Sequence, residues 1–373
     1  MKTEGISQHQ IIHFLILFFF STFVGFSSVQ LVKMAQYDSL IVIFIGGLSA
    51  VAQAIIGIKL ANRRPDQFIV TYGKEIFPYW VHLLLMGAMF FFCFHGSAFM
   101  LREYEDFIIQ VYLPETPNWA IGILFGGTVA IMARLGIVTL FRSAQGLFFI
   151  TIFAILLNTV FVGRELKWER SMAFITNHDF QGIVQGSYFI SPFFCEIVLL
   201  IFIYPYIMDI EKTRRSFFWA IFYSISLIIV YIGFLLLLFG PNLTAHLAFP
   251  ILEMVRFIKI AEFIENLDPL LIAVWSTMVY IKISFFFYLA VHILAQLLKL
   301  KDYRPLTFSL AAIVVSMSVT MAENFASLSD VYEHSWPTFA LCVESIPLLY
   351  LLMDTIKNYV KKKSMTPVEN KKT

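Results

Sequence analysis

The chain has 373 residues, 59% of them hydrophobic and 14% charged, with 41 phenylalanines, three cysteines and a net charge of +2. A water-soluble core of this length has no room for so much aromatic surface, and lysines and arginines scattered at the ends of apolar runs exclude a nucleic-acid-binding patch. Cys93, Cys195 and Cys342 all fall inside apolar runs and read as small membrane-buried residues, without the spacing of a disulfide framework or a metal site.

Apolar stretches of about 20 residues, the length that crosses a bilayer as a helix, recur along the whole chain. Ten spans are predicted, at 11–31, 39–60, 78–101, 118–140, 143–163, 183–207, 217–240, 268–298, 306–325 and 336–356. With the N-terminus inside, the inner connections carry Lys59, Arg63, Arg64, Lys74, Arg134, Arg142, Lys212, Arg214, Arg215, Lys299, Lys301, Arg304 and the tail lysines, while acidic residues gather in the outer ones. The positive-inside rule then predicts that both termini are cytoplasmic. Arg102, Glu105 and Asp106 read as a solvated external cluster at the end of span three.

Two spans are poorly suited to continuous helix. The first contains "STFVGFSSVQ" (21–30), with Gly25 among Ser21, Thr22, Ser27 and Ser28; the sixth contains "QGSYFISPFFCE" (185–196), with Gly186, Ser191 and Pro192. Glycine lowers the cost of unwinding and proline removes a backbone donor. Packing kinks in membrane helices use the same residues. In a chain of five plus five spans, however, these two segments occupy corresponding places, as the interrupted helices of inverted-repeat transporters do. The predicted fold class is an all-α membrane protein, ten transmembrane helices in a 5+5 inverted-repeat permease-type fold with helices 1 and 6 interrupted. Residues 1–363 are expected to form a single transmembrane domain with repeats over about 11–163 and 183–356, and 364–373 a disordered cytoplasmic tail. The connection after span seven, "PILEMVRFIKIAEFIENLD" (250–268), carries Glu253, Arg256, Lys259, Glu262 and Glu265 at steps of three. That spacing predicts an amphipathic external helix over 250–265, lying on the membrane or closing a cavity as a lid.

Lys282 sits in the apolar run "VYIKISFFFY" (279–288), too far from either end to snorkel, and Glu196 lies inside span six. A charge at the centre of a membrane helix costs about 2.5–3.5 kcal/mol on insertion scales, so it needs a partner or a water-lined cavity. Lys282 and Glu196 are candidates to satisfy each other, either as an ion pair that fixes helix register or with the ammonium standing where a coupling cation would bind. Glu344 also lies near a span centre, whereas His82, His95 and His292 read as packing residues. No nucleophile elbow, phosphate loop or zinc-binding spacing occurs, so no catalytic residue, cofactor or metal is expected, and the chain does not read as an enzyme.

The start "ISQHQIIHFLILFFFSTFVG", the stretch "FFCEIVLLIFIYPYI" and, most specifically, "FPILEMVRFIKIAEFIENLDPLLIAVWSTMVYIKISFFFYLAVH" (249–292) resemble the B subunits of spore nutrient germinant receptors, in the amino acid, polyamine and organocation permease superfamily. The resemblance implies a nutrient sensor, with an amino acid as its expected ligand, in the inner membrane of a bacterial spore. It would work beside an A subunit and a C-subunit lipoprotein. The ligand would be held by spans one and six with help from spans three and eight. Gly25, Glu196, Asp268 and Trp275 match family positions, and Lys282 falls where span eight faces the pocket. Cys195 stands where the family usually has glycine.

The expected ligand-binding residues are Thr22, Gly25, Phe26, Ser27, Ser28, Tyr188, Phe189, Ser191, Glu196 and Lys282, with Pro250, Asp268 and Trp275 shaping the lid region. Helix N-terminal halves at the two breaks would receive a carboxylate, and Phe26, Tyr188 and Phe189 the apolar part of the ligand. A proton-coupled amino-acid permease of the same fold is the alternative.

Overall fold

The computed structural model describes residues 5–256, 268–323 and 325–365. Among these residues the chain is almost wholly helical, with a single isolated β-bridge, Ile6 to Ile207. Among the described residues, nine helices are long and apolar enough to cross a membrane, and a tenth, Arg304–Thr320, is apolar but 17 residues long. The chain is therefore a multi-pass membrane protein.

The ten segments follow the predicted spans, with informative differences at their ends. Gly136, at φ +97°, separates Asn118–Leu135 from Ile137–Val162, so residues 137–140 belong to the fifth span rather than the fourth. A left-handed backbone there strongly favours glycine, which makes the boundary sharp. The third span continues to Val111, ten residues beyond its predicted end. Arg102, Glu105 and Asp106 find partners inside the bundle, and the helix runs on to Val111, shortly before Pro114. The last helix, Ile346–Met365, runs two residues into the expected tail. Residues 366–373 lie outside the described residues.

Spans one, six and eight are the most enclosed, with 78%, 83% and 89% of their apolar windows buried, against 22% for span five. They form the centre of the bundle, and they are the spans that carry the polar interruptions and the two charges. Span eight, Asp268–Leu297, packs along span three, Tyr79–Val111, and against spans one, four and five. Span two, Ser39–Ala61, packs along span six. Gly46 permits this crowding, since a Cβ there would lie 2.5 Å from Phe194, and Gly47 does the same against Ile225 of span seven, Ile210–Leu238.

Both interruptions are changes of helix type rather than loss of helix. Gln8–Thr22 passes through a π-turn, Phe23–Ser27, and resumes as Ser28–Ala35. Phe180–Cys195 tightens into a 3₁₀ helix, Glu196–Tyr206, four residues after Pro192. Both switches leave backbone groups outside the ordinary i to i−4 ladder, a device seen often at functional positions.

Candidate functional site

The two switches meet at the centre of the bundle. Lys282 is 3% exposed and Glu196 5% exposed, and the ammonium stands 2.6 Å from Oε2 of the carboxylate. That oxygen lies off the line of a well-directed hydrogen bond, so the contact is chiefly an ion pair. The ammonium also donates to Thr22 Oγ1 at 2.6 Å and sits 4.5 Å from the centre of the Phe18 ring. One cation thus ties the residue just before the π-turn to the first residue of the 3₁₀ segment.

Beside this pair lies a cavity of about 30 Å³, lined by Ser21 and Thr22 of span one, Gly96, Phe99, Met100 and Glu103 of span three, and Phe193 and Glu196 of span six. Val279, Lys282 and Phe286 of span eight, with Tyr332 and Trp336, complete it. Its size suits one or two waters. A second cavity of about 80 Å³ is lined by Gly25, Val29, Gln30, Leu247, Ala248, Leu328 and Ser329, and it shares Glu103 and Tyr332 with the first.

Of the residues expected at the site, Thr22, Glu196 and Lys282 line the central cavity and Gly25 the outer one. A Cβ on Gly25 would lie 2.6 Å from the Trp275 ring, whose indole N–H donates to the Ser21 carbonyl at 3.2 Å. Trp275 is thereby the support of the π-turn, as well as part of span eight. Ser27 turns its hydroxyl back to the Thr22 carbonyl at 3.1 Å, and the Ser28 hydroxyl is buried without a partner among the described residues. Phe189 is buried behind the cavity against Phe193 and Tyr332. Pro250 is buried and opens the short helix Pro250–Arg256.

Two expectations are corrected. Tyr188 faces the outer surface, 44% exposed, with its hydroxyl on Thr338, because the helical turn that buries Phe189 carries its neighbour away. Ser191 bonds its own helix, Oγ to the Ser187 carbonyl at 2.6 Å, and lines neither cavity. All three cysteines lie in membrane-spanning segments, Cys93 and Cys195 inside the bundle and Cys342 on its outer surface. The side chains of Phe26 and Asp268, and residues 257–265 of the expected lid helix, lie outside the described residues.

The supposed external cluster is also internal. Arg102, Glu105 and Asp106 are 5%, 0% and 7% exposed. Arg102 donates to Asp106 at 2.9 Å and to the Ser318 and Val319 carbonyls at 3.2 and 3.0 Å, capping Arg304–Thr320 at its C-terminal end. Ser318 donates to Glu105 at 2.8 Å. Glu344 is fully buried, within electrostatic reach of Glu196 and Lys282, and neither of its carboxyl oxygens has a hydrogen-bond partner among the described residues. The three histidines pack as expected. His82 links Tyr350 and the Val70 carbonyl, His95 lies between Phe91 and Trp336, and His292 stacks on Tyr288.

Reading the residues one at a time missed Glu103, Phe193, Tyr332 and Trp336. The spacing of Gly96, Phe99, Met100 and Glu103, at i, i+3, i+4 and i+7, puts one face of span three on the cavity and marks Glu103 as part of that face.

The fold is shared with MhsT, solved in complex with L-phenylalanine, at a TM-score of 0.65 and 12% identity, covering 90% of this chain and 88% of that one. Among curated proteins, spore germination protein KB of Bacillus subtilis (strain 168) is 24% identical over 237 residues, 62% of each chain. Putative spore germination protein YfkT of the same organism is 25% identical over 214 residues, 56% of this chain and 57% of its own. Spore germination protein GerQB of Bacillus cereus is 24% identical over 266 residues, 70% of this chain and 71% of its own. The match thus spans less than two thirds of the length of the first two. The family model for spore germination proteins matches residues 5–326, which include both helix switches, the Lys282–Glu196 pair and the 249–292 stretch that resembles germinant-receptor B subunits. With its permease-type fold, the chain belongs to the spore germination protein family.

Proposed function

We propose that this chain is the nutrient-sensing subunit of a spore germinant receptor, binding an amino acid at the centre of the bundle and passing the signal to partner subunits. The reading carries with it a place in the inner membrane of a spore, cytoplasmic termini, and partners of the A-subunit and C-subunit lipoprotein types. The observation that carries it is the buried cavity at the meeting of both helix switches, with Lys282 tying one to the other. The ammonium stands where a coupling cation would sit in an ion-driven relative. The arrangement suits a binding protein better than an enzyme.

A cavity of about 30 Å³ is too small for an amino acid, so binding must favour a wider arrangement. A ligand with equal affinity for two conformations shifts neither; one that fits only the wider state shifts the population and supplies a signal. The two inverted repeats, about 11–163 and 183–356, would be the units that move. Residues 250–265 would be the lid over the outer cavity.

The test is binding and uptake of labelled amino acids by the purified protein in sealed vesicles, wild type beside Lys282→Ala. Saturable binding without accumulation, lost in the variant, supports the receptor. Accumulation driven by a proton gradient replaces it with a permease, and absence of binding by the wild type rejects both.

A further inference from the structure

Glu103 lies between the two cavities and lines both. It is 5% exposed, and among the described residues it has no hydrogen-bond or ion-pair partner. The charges facing it are already engaged. Lys282 is held by Glu196 and Thr22, and Asp106, one turn along the same helix, is held by Arg102. The Tyr332 hydroxyl beside it, next to Ser27, makes no well-formed hydrogen bond. A buried carboxylate without a donor or a cation is unfavourable, and it becomes favourable when a cation enters the same enclosed space.

From this we infer that Glu103 is the counter-ion for a positively charged amino group on the ligand, so that the nutrient is an ammonium-bearing molecule, an amino acid or a primary amine. The inference rests on the proposed nutrient-binding role and assigns a residue to the ligand's amino group. Glu103 forms the floor of the outer cavity and the roof of the central one. A ligand passing from one to the other meets the carboxylate before it reaches Lys282, whose positive charge would repel its ammonium and favour its carboxylate. The two charges would therefore orient an amino acid along the path, ammonium toward span three and carboxylate toward span eight. A sugar or nucleoside would leave Glu103 unpaired and be rejected for that reason.

The experiment is equilibrium binding to the purified protein in lipid nanodiscs. The probes are the twenty common L-amino acids, the amines and deaminated acids that correspond to them, glucose and inosine, tested on wild type, Glu103→Gln and Glu103→Asp. Removing the amino group from whichever amino acid binds should weaken binding to wild type at least tenfold, a comparison that needs no variant. Glu103→Gln should lose at least tenfold in affinity for that amino acid and none of its residual affinity for the deaminated acid, and Glu103→Asp should restore part of the loss. Equal affinity of wild type and Glu103→Gln overturns the inference while leaving the nutrient sensor intact. Tight binding of glucose, inosine or a deaminated acid by wild type does the same. Binding of no probe by wild type overturns both.

Discussion

At the end of the bundle that carries the termini, polar side chains close on one another. Arg63 bonds Asp354 and Thr355, Arg64 reaches Glu75 at 3.4 Å, Tyr204 bonds Asn62, and Ile6 lies across Tyr206 and Met208 with backbone bonds of 2.9 and 3.1 Å. In the half that faces away from the termini, the same kinds of groups surround empty space: Glu103 and Tyr332 stand between two cavities. The first set of side chains is satisfied within the chain, whereas Glu103 and Tyr332 are left to be satisfied by something that enters. The difference separates positions whose loss costs stability from positions whose loss costs recognition.

The largest expected effect falls on the boundary between the two halves. Lys282→Met leaves Glu196 buried without its cation and should lower unfolding stability by about 3–5 kcal/mol. Adding Glu196→Gln should recover most of that loss, because the pair is replaced rather than broken. Thermal unfolding in detergent reads both, and a double variant no more stable than the single would show that the pair is not the source.

At the closed end, Arg63→Ala should cost less, about 1 kcal/mol, since Arg63 is partly exposed and Arg64 still lies 3.7 Å from Asp354. Hydrogen exchange should rise around 204–208 and 350–358 and stay unchanged around 25–30. Equal change at both ends would mean that the two halves open together.

The smallest effect is a pH dependence at the far end. Asp38, 2% exposed, accepts from the Asp179 backbone N–H at 2.7 Å and pairs with His178 Nδ1 at 2.6 Å, joining the turn after span one to the start of span six. The hydrogen bond to Asp38 raises the His178 pKa above its ordinary value near 6.5. A raised folded-state pKa means that the contribution is complete below about pH 6.5 and is lost as pH rises through the raised value. The melting temperature should thus fall slightly above pH 6.5 in wild type. That slope should vanish in His178→Ala.

Much of this arrangement was legible from residue types alone. An apolar run with Lys282 at its middle demands a partner, and Glu196 answers it because spans six and eight are both central. Gly25 and Pro192 announce the two switches, although not that π and 3₁₀ turns would replace unwinding. What charge counting hid was span three. Arg102, Glu105 and Asp106 look like a solvated end, yet Arg102 is drawn inward by carbonyls more than 200 positions away, a relation no local pattern carries. Tyr188 failed for a simpler reason, since a helix presents adjacent residues to different surroundings.

The tryptophans of this chain fall into two groups. Of the six, Trp80, Trp119, Trp168 and Trp219 are exposed, whereas Trp275 and Trp336 are 1% and 6% exposed. The buried two stand at the support of the π-turn and in the wall of the central cavity. An aqueous or lipid-soluble quencher will reach the first group far more readily than the second, so the emission that survives it comes from the site itself. The molecule thereby carries its own fluorescent reporter, and widening of the centre would be visible as a loss of that protected light without any label being attached.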